Sequence, residues 1–102
     1  MDTATLKEIL VQEMKLYAKK GLNAVSYLTV NEEQQLYTVI DFANIRGKRI
    51  VGAVLIARLV DDIIYIDLDY NNKMLVDALR ARGVPENQMV LMYQQDKAPV
   101  ST

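Results

Sequence analysis

From Asn23 to Tyr70 the chain is built of apolar, β-branched runs, NAVSYLTV, LYTVIDFAN, RIVGAVLIARLV and IIYIDLDY, parted by short polar breaks. No other feature constrains the fold as much, because Val, Ile, Thr and Tyr suit the pleated, half-buried surface of a sheet. The breaks NEEQQ, IRGK and Asp61-Asp62 have hairpin lengths, and Asp tolerates turn conformations that β-branched residues resist. Four strands in an antiparallel meander are therefore predicted. In the third run Val51, Ala53, Leu55, Ala57 and Leu59 are expected on one face and Ile50, Val54 and Ile56 on the other, so both faces look apolar. In the fourth, Ile64, Ile66 and Leu68 alternate with Tyr65, Asp67 and Asp69, the pattern of a strand with one wet face.

The meander is flanked by helical signals. Residues 5–20 place Leu6, Ile9, Leu10, Met14 and Tyr17 on one stripe, with Thr5 and Glu8 spaced as a capping box and Gly21 placed to close the helix in a left-handed conformation. A second helix is predicted from Asn71 or Asn72, either a good N-cap, with Met74, Leu75, Ala78 and Leu79 as its apolar stripe and Arg80 and Arg82 near the negative end of its dipole. Gly83, Val84 and Pro85 then write the stop: glycine for the left-handed residue, valine to fold back, proline to forbid continuation. Met89, Leu91 and Tyr93 read as a short last strand, and residues 95–102 as a polar tail expected to be flexible. The predicted fold is α+β, in the order α-β-β-β-β-α-β, as one domain over residues 1–102.

Composition removes whole classes of function. The chain has 102 residues, 12 basic and 13 acidic, with no His and no Cys. A Ser-His-Asp or Cys-His nucleophilic site cannot be assembled, nor a zinc site that needs imidazole or thiolate ligands. The four glycines form no phosphate-binding loop of the Walker or dinucleotide type. No catalytic residue, cofactor or metal is therefore expected. The N-terminal helix interleaves charge with apolar residues, unlike a signal peptide, and no apolar run approaches the roughly 20 residues that span a bilayer, so a cytoplasmic protein without membrane contact is expected.

Three patterns remain that can carry function. Asp67 and Asp69, two apart on a strand, are expected to project from one face and could share an oxygen-loving cation such as magnesium, which would allow a small metal-dependent enzyme. Arg46, Lys48 and Arg49 beside Gly47 could meet phosphate and bind DNA directly. The ordinary alternatives are a solvated strand face and a charged hairpin tip. The apolar second face of the third strand points instead to an interface formed by Ile50, Val54, Ile56 and Tyr65, and to a homodimer or higher oligomer, since such a face exceeds what a monomer usually exposes.

The string KRIVGAVLIARLVDDIIYIDLDYNNKMLVDALRARGVPENQMVLMY resembles the XisI family, controlling factors for excision of the fdxN DNA element. The likeness rests on Lys48-Arg49 leading into a strand with Gly52, on the turn and strand DDIIYI, and above all on GVPENQMVL. Residues Tyr65, Asn71, Asn72, Tyr93 and Gln94 depart from the family pattern, which favours Trp, a Thr-Glu pair and Phe-His at those places. The resemblance implies an α+β fold and a non-enzymatic accessory role in site-specific recombination. It also implies protein contacts with a nuclease-like XisH partner, so that any nucleic-acid contact would be indirect.

Overall fold

The structure, a computed structural model, describes residues 1–95. Helix α1 (Thr3–Lys15) is followed by strands β1 (Ala24–Asn31), β2 (Leu36–Ile45), β3 (Lys48–Val60) and β4 (Ile63–Asp69), helix α2 (Leu75–Ala81), a single 3-10 turn (Glu86–Gln88), strand β5 (Met89–Leu91) and one helical turn, α3 (Met92–Gln95). The predicted order is observed, with α3 added: Tyr93 belongs to that turn and not to the last strand. The expected flexible tail lies, from residue 96 onward, outside the described residues.

The strands form one sheet in the order β1-β2-β3-β4-β5, antiparallel as far as β4 and parallel between β4 and β5. α2 is the crossover that returns the chain so that β5 can run alongside β4. Both helices lie on one face of this sheet. Leu6, Ile9, Leu10 and Met14 of α1 and Leu75, Val76 and Leu79 of α2 pack with Tyr37, Val39, Leu55, Ala57, Leu59, Ile64, Ile66 and Met89, and this cluster is the core. The turns take the chemistry the sequence suggests. Arg46 and Gly47, and likewise Asp61 and Asp62, are consecutive residues with positive φ, the geometry of the two-residue hairpin turn that matches strand twist.

α1 departs from the local expectation at both ends, and α2 at its start. α1 starts ahead of Thr5 because Asp2 is its N-cap: the Asp2 carboxylate accepts from the Thr5 backbone N–H at 2.8 Å, a bond that also holds this carboxyl below its ordinary pKa. It ends at Lys15, well before Gly21, which has no left-handed conformation. The chain from Lys19 to Gly21 is drawn instead along the outer side of β1, where Ser26 N–H donates to Lys19 O and Gly21 N–H to Ala24 O. The pairing competes with the helical period and wins. The remaining outer edge of β1, a strand without a charged residue, is open, whereas the opposite edge of the sheet is the three-residue β5.

The stop at the end of α2 forms as the sequence predicts. Gly83 sits at φ 88°, its N–H donates to Arg80 O, and Val84 N–H reaches back to Leu79 O at 3.1 Å, the paired bonds of a Schellman motif. Val84 is buried against the core. The start of α2 is different. Met74 holds the N-cap position without a side-chain bond, and neither Asn71 nor Asn72 caps the helix. The acceptor is Asp69, buried at the end of β4, whose Oδ2 takes the Leu75 N–H at 2.7 Å.

Candidate functional site

The face of the sheet opposite the helices has no cover among the described residues. Register identifies what lines it. Tyr37, Val39, Leu55, Ala57, Ile64 and Ile66 point into the core, so their neighbours along each strand point away. Tyr27 pairs with Ile40, Phe42 with Val51, Thr38 with Ile56, Ile56 with Leu68, and Arg58 with Tyr65 across this open face. The Tyr27 and Phe42 rings meet edge to face, their centroids 5.6 Å apart. Most of these side chains are half-buried by one another, and Tyr27 is 55% exposed.

One charged cluster interrupts the apolar surface. Arg58 donates through Nε and Nη2 to the two oxygens of Asp67, at 2.7 and 3.0 Å, and its guanidinium lies 5.0 Å from the Tyr65 ring centre. The bond to Asp67 pushes the Arg58 pKa above its already high value, so the guanidinium stays charged beside the carboxylate it is bonded to. The open face therefore carries no net charge at its centre.

Two β-bulges decide which residues reach this surface, and both overturn the simple alternation. β3 has an extra residue where Val39 pairs with Leu55 and Ile40 with Ala53, leaving Val54 without a partner. Val51 and Ala53 are thereby turned to the open face, while Val54 packs against the core instead of away from it. The second bulge leaves Asp67 unpaired between Ile66, opposite Ala57, and Leu68, opposite Ile56. Asp67 stays on the open face with Arg58, Leu68 joins it there, and Asp69 is turned inward to cap α2. The expected pairing of Asp67 and Asp69 on one face is thus not formed. Asp69 spends its oxygens on the Leu75 N–H, the Asn71 N–H and the Asn71 side-chain amide, and among the described residues no group of three potential acidic ligands converges.

Of the expected interface residues, Ile56 and Tyr65 share the open face, whereas Val54 faces the core and Ile50 lies on the helix side of the distal hairpin, opposite Ala43 and beyond the reach of α1. Sequence reasoning missed Ile40, Phe42 and Leu68 as members of the face; strand alternation carried signal for the first two, read from Tyr37 and Val39 as core. Arg46, Lys48 and Arg49 fall at the exposed tip of the β2–β3 hairpin and enter none of the ion pairs among the described residues.

Comparison with known proteins agrees with this architecture. A XisI-like protein from Anabaena variabilis ATCC 29413 is 18% identical, with 89% of this chain and 86% of that one covered and a TM-score of 0.79. The fdxN element excision controlling factor XisI from the same organism is 21% identical over 88% and 86%, with a TM-score of 0.62. At these identities the likeness establishes the fold. No curated protein matches. No helix among the described residues is long and apolar enough to cross a membrane. The family described as XisI protein matches residues 2–101, and with that extent of agreement in sequence and the shared fold, the chain belongs to the XisI family.

Proposed function

We propose that this protein is a non-enzymatic accessory factor in DNA-element excision, and that it works by docking through its open sheet face, with a second copy of the chain as the occupant. The observation that carries the reading is the uncovered face itself, apolar through Tyr27, Ile40, Phe42, Ile56 and Leu68, with its one ion pair internally neutralised. A charged partner would bury unmatched charge against such a surface, whereas a neutral face is complementary to a copy of itself about a two-fold axis. The accessory role is carried over from what the name of the Anabaena variabilis controlling factor says of that protein. A metal-dependent enzyme built on Asp67 and Asp69 loses its support, since their oxygens are committed to different partners.

Sedimentation velocity at micromolar concentration tests the docking. A dimer is expected, and Ile56→Asp should break it to monomers that keep the wild-type circular dichroism spectrum. A monodisperse wild-type monomer overturns self-association. Capture of a XisH-like protein by that monomer, lost in Ile56→Asp, would give the face to a heterologous occupant instead.

A further inference from the structure

The chain is nearly neutral, yet its charge is strongly divided. No Asp or Glu occurs from Met14 to Asn31 or from Phe42 to Val60, although these stretches hold Lys15, Lys19, Lys20, Arg46, Lys48 and Arg49. None of those six cations enters an ion pair among the described residues; Arg58, the other cation of these stretches, is taken by Asp67. The fold gathers them at one end, since residues 19–21 run along the start of β1, where residues 24–26 pair with residues 41–43 towards the distal end of β2. Asp41, the acid within β2, is bonded to the Ser26 hydroxyl.

At that end the β2–β3 ribbon projects beyond both helices, and every residue from Asn44 to Gly52 is exposed. The ribbon is thin there, with Ala43, Gly47, Gly52 and Ala53 along it, and a Cβ added at either glycine would meet nothing within 4 Å. Beside it lies an open recess of about 450 Å³, with Lys20 and Arg49 among its walls and Leu22, 98% exposed, on its lip. Arg46 occupies a left-handed position at φ 52°, where Asn or Gly would sit at lower cost. Gln35, Asp61 and Asp62 hold the same conformation in the other turns, but Arg46 alone among the four places a cation at the end of a ribbon.

We infer that the β2–β3 hairpin is a nucleic-acid arm, with Arg46, Lys48 and Arg49 contacting the phosphates of a duplex. A two-stranded ribbon is of the width the major groove admits, and its cations would sit against both backbones, giving position on the duplex rather than sequence readout. The arm adjoins the open sheet face at Phe42 and Val51, with Phe42 also lining the recess, so its test rests on the hairpin cations and not on the oligomeric state.

Fluorescence anisotropy with a labelled random-sequence DNA duplex of about 20 base pairs tests it. With three phosphate contacts per arm, affinity should fall about 40-fold between about 50 and about 200 mM salt, because each contact adds roughly −0.9 to the slope of log K on log salt. Lys48→Gln/Arg49→Gln should reduce that fall to less than about fourfold, and Lys48→Gln alone should remove about one unit of slope. Arg80→Gln/Arg82→Gln, at the other end of the molecule, should leave the slope unchanged. Absence of duplex binding at the lower salt, or a slope indifferent to the hairpin substitutions, overturns the inference. Tighter, hairpin-dependent binding of poly-glutamate or of phosphatidylserine vesicles than of the duplex overturns it equally, by assigning the arm to an acidic protein or a membrane surface.

Discussion

Replacing Asp69 by Ala should cost far more than replacing Asp67, two residues away. The Asp69 carboxylate is 9% exposed and accepts three hydrogen bonds: from the buried Leu75 N–H at 2.7 Å, from Asn71 N–H at 3.0 Å and from the Asn71 side-chain amide at 2.8 Å. Removing it leaves the first free amide of α2 buried without an acceptor, which costs about 1–3 kcal/mol, and losing the cap and the Asn71 anchor adds about 1 kcal/mol. The expected loss is about 3 kcal/mol, or roughly 12 °C or more in Tm for a domain of this size. Asp69→Asn keeps an acceptor and the shape of the side chain, and should cost about 1 kcal/mol. Asp67→Ala removes a partly exposed ion pair at the edge of a bulge and should cost no more than about 1 kcal/mol. Urea denaturation followed by far-UV circular dichroism, with m-values compared, reads all three. If the two alanine variants agree within about 0.5 kcal/mol, the view of Asp69 as a displaced helix cap is wrong.

Gly83→Val should destabilise by on the order of 1–2 kcal/mol through positive φ alone, since an added Cβ at Gly83 meets only the Met1 side chain at an ordinary 3.8 Å; an unchanged melt would refute this. Arg46→Asn should raise stability by up to about 1 kcal/mol, because Asn tolerates the left-handed turn position better, and a fall in Tm would show that the arginine is not strained. Magnesium should produce no thermal shift that Asp67→Asn removes, since that carboxylate is held by Arg58. Tyr17, whose hydroxyl donates to Lys73 O, is pushed up to about 12, first by burial and then by the negative charges of Asp69, Glu13 and Asp77. Its stabilising contribution is complete below the ordinary value of 10.0 and is lost as pH rises towards about 12, so Tyr17→Phe should flatten the alkaline loss of stability in thermal melts, leaving the part that the upward-shifted Tyr37 and Tyr93 supply.

What the sequence made legible was local. The Gly83-Val84-Pro85 stop, the tight Asp61-Asp62 turn and the apolar stripe of α1 through Leu6, Ile9, Leu10 and Met14 each depend on residues within a few positions of one another, and each formed as read. What stayed hidden depends on distant pairing. Alternation along β3 and β4 assumes an unbroken pleat, and one extra residue at Val54 and at Asp67 reverses the faces on either side of it. Nothing at Asp69 announces a cap, because it stands six residues ahead of the amide it serves rather than at the usual spacing. The early end of α1 is equally non-local: Lys19 and Gly21 bond to β1, a choice the helical period of the preceding residues could not reveal. The same bulges explain why the open face was half legible: Ile56 and Tyr65 lie on it, whereas Ile50 and Val54 do not.

The unequal edges of the sheet bear on how a crowded solution of this protein can fail. A fibre grown by strand addition needs two receptive edges on every molecule, one to accept the previous unit and one to template the next. Here β1 offers an uncharged stretch whose outer side is only partly shielded by Lys19–Gly21, but β5 supplies three residues before the chain turns into a helix. Two molecules meeting β1 to β1 would leave, among the described residues, the three-residue β5 as the outermost strand at each end. Edge-to-edge growth is therefore a chain reaction that terminates at its first step.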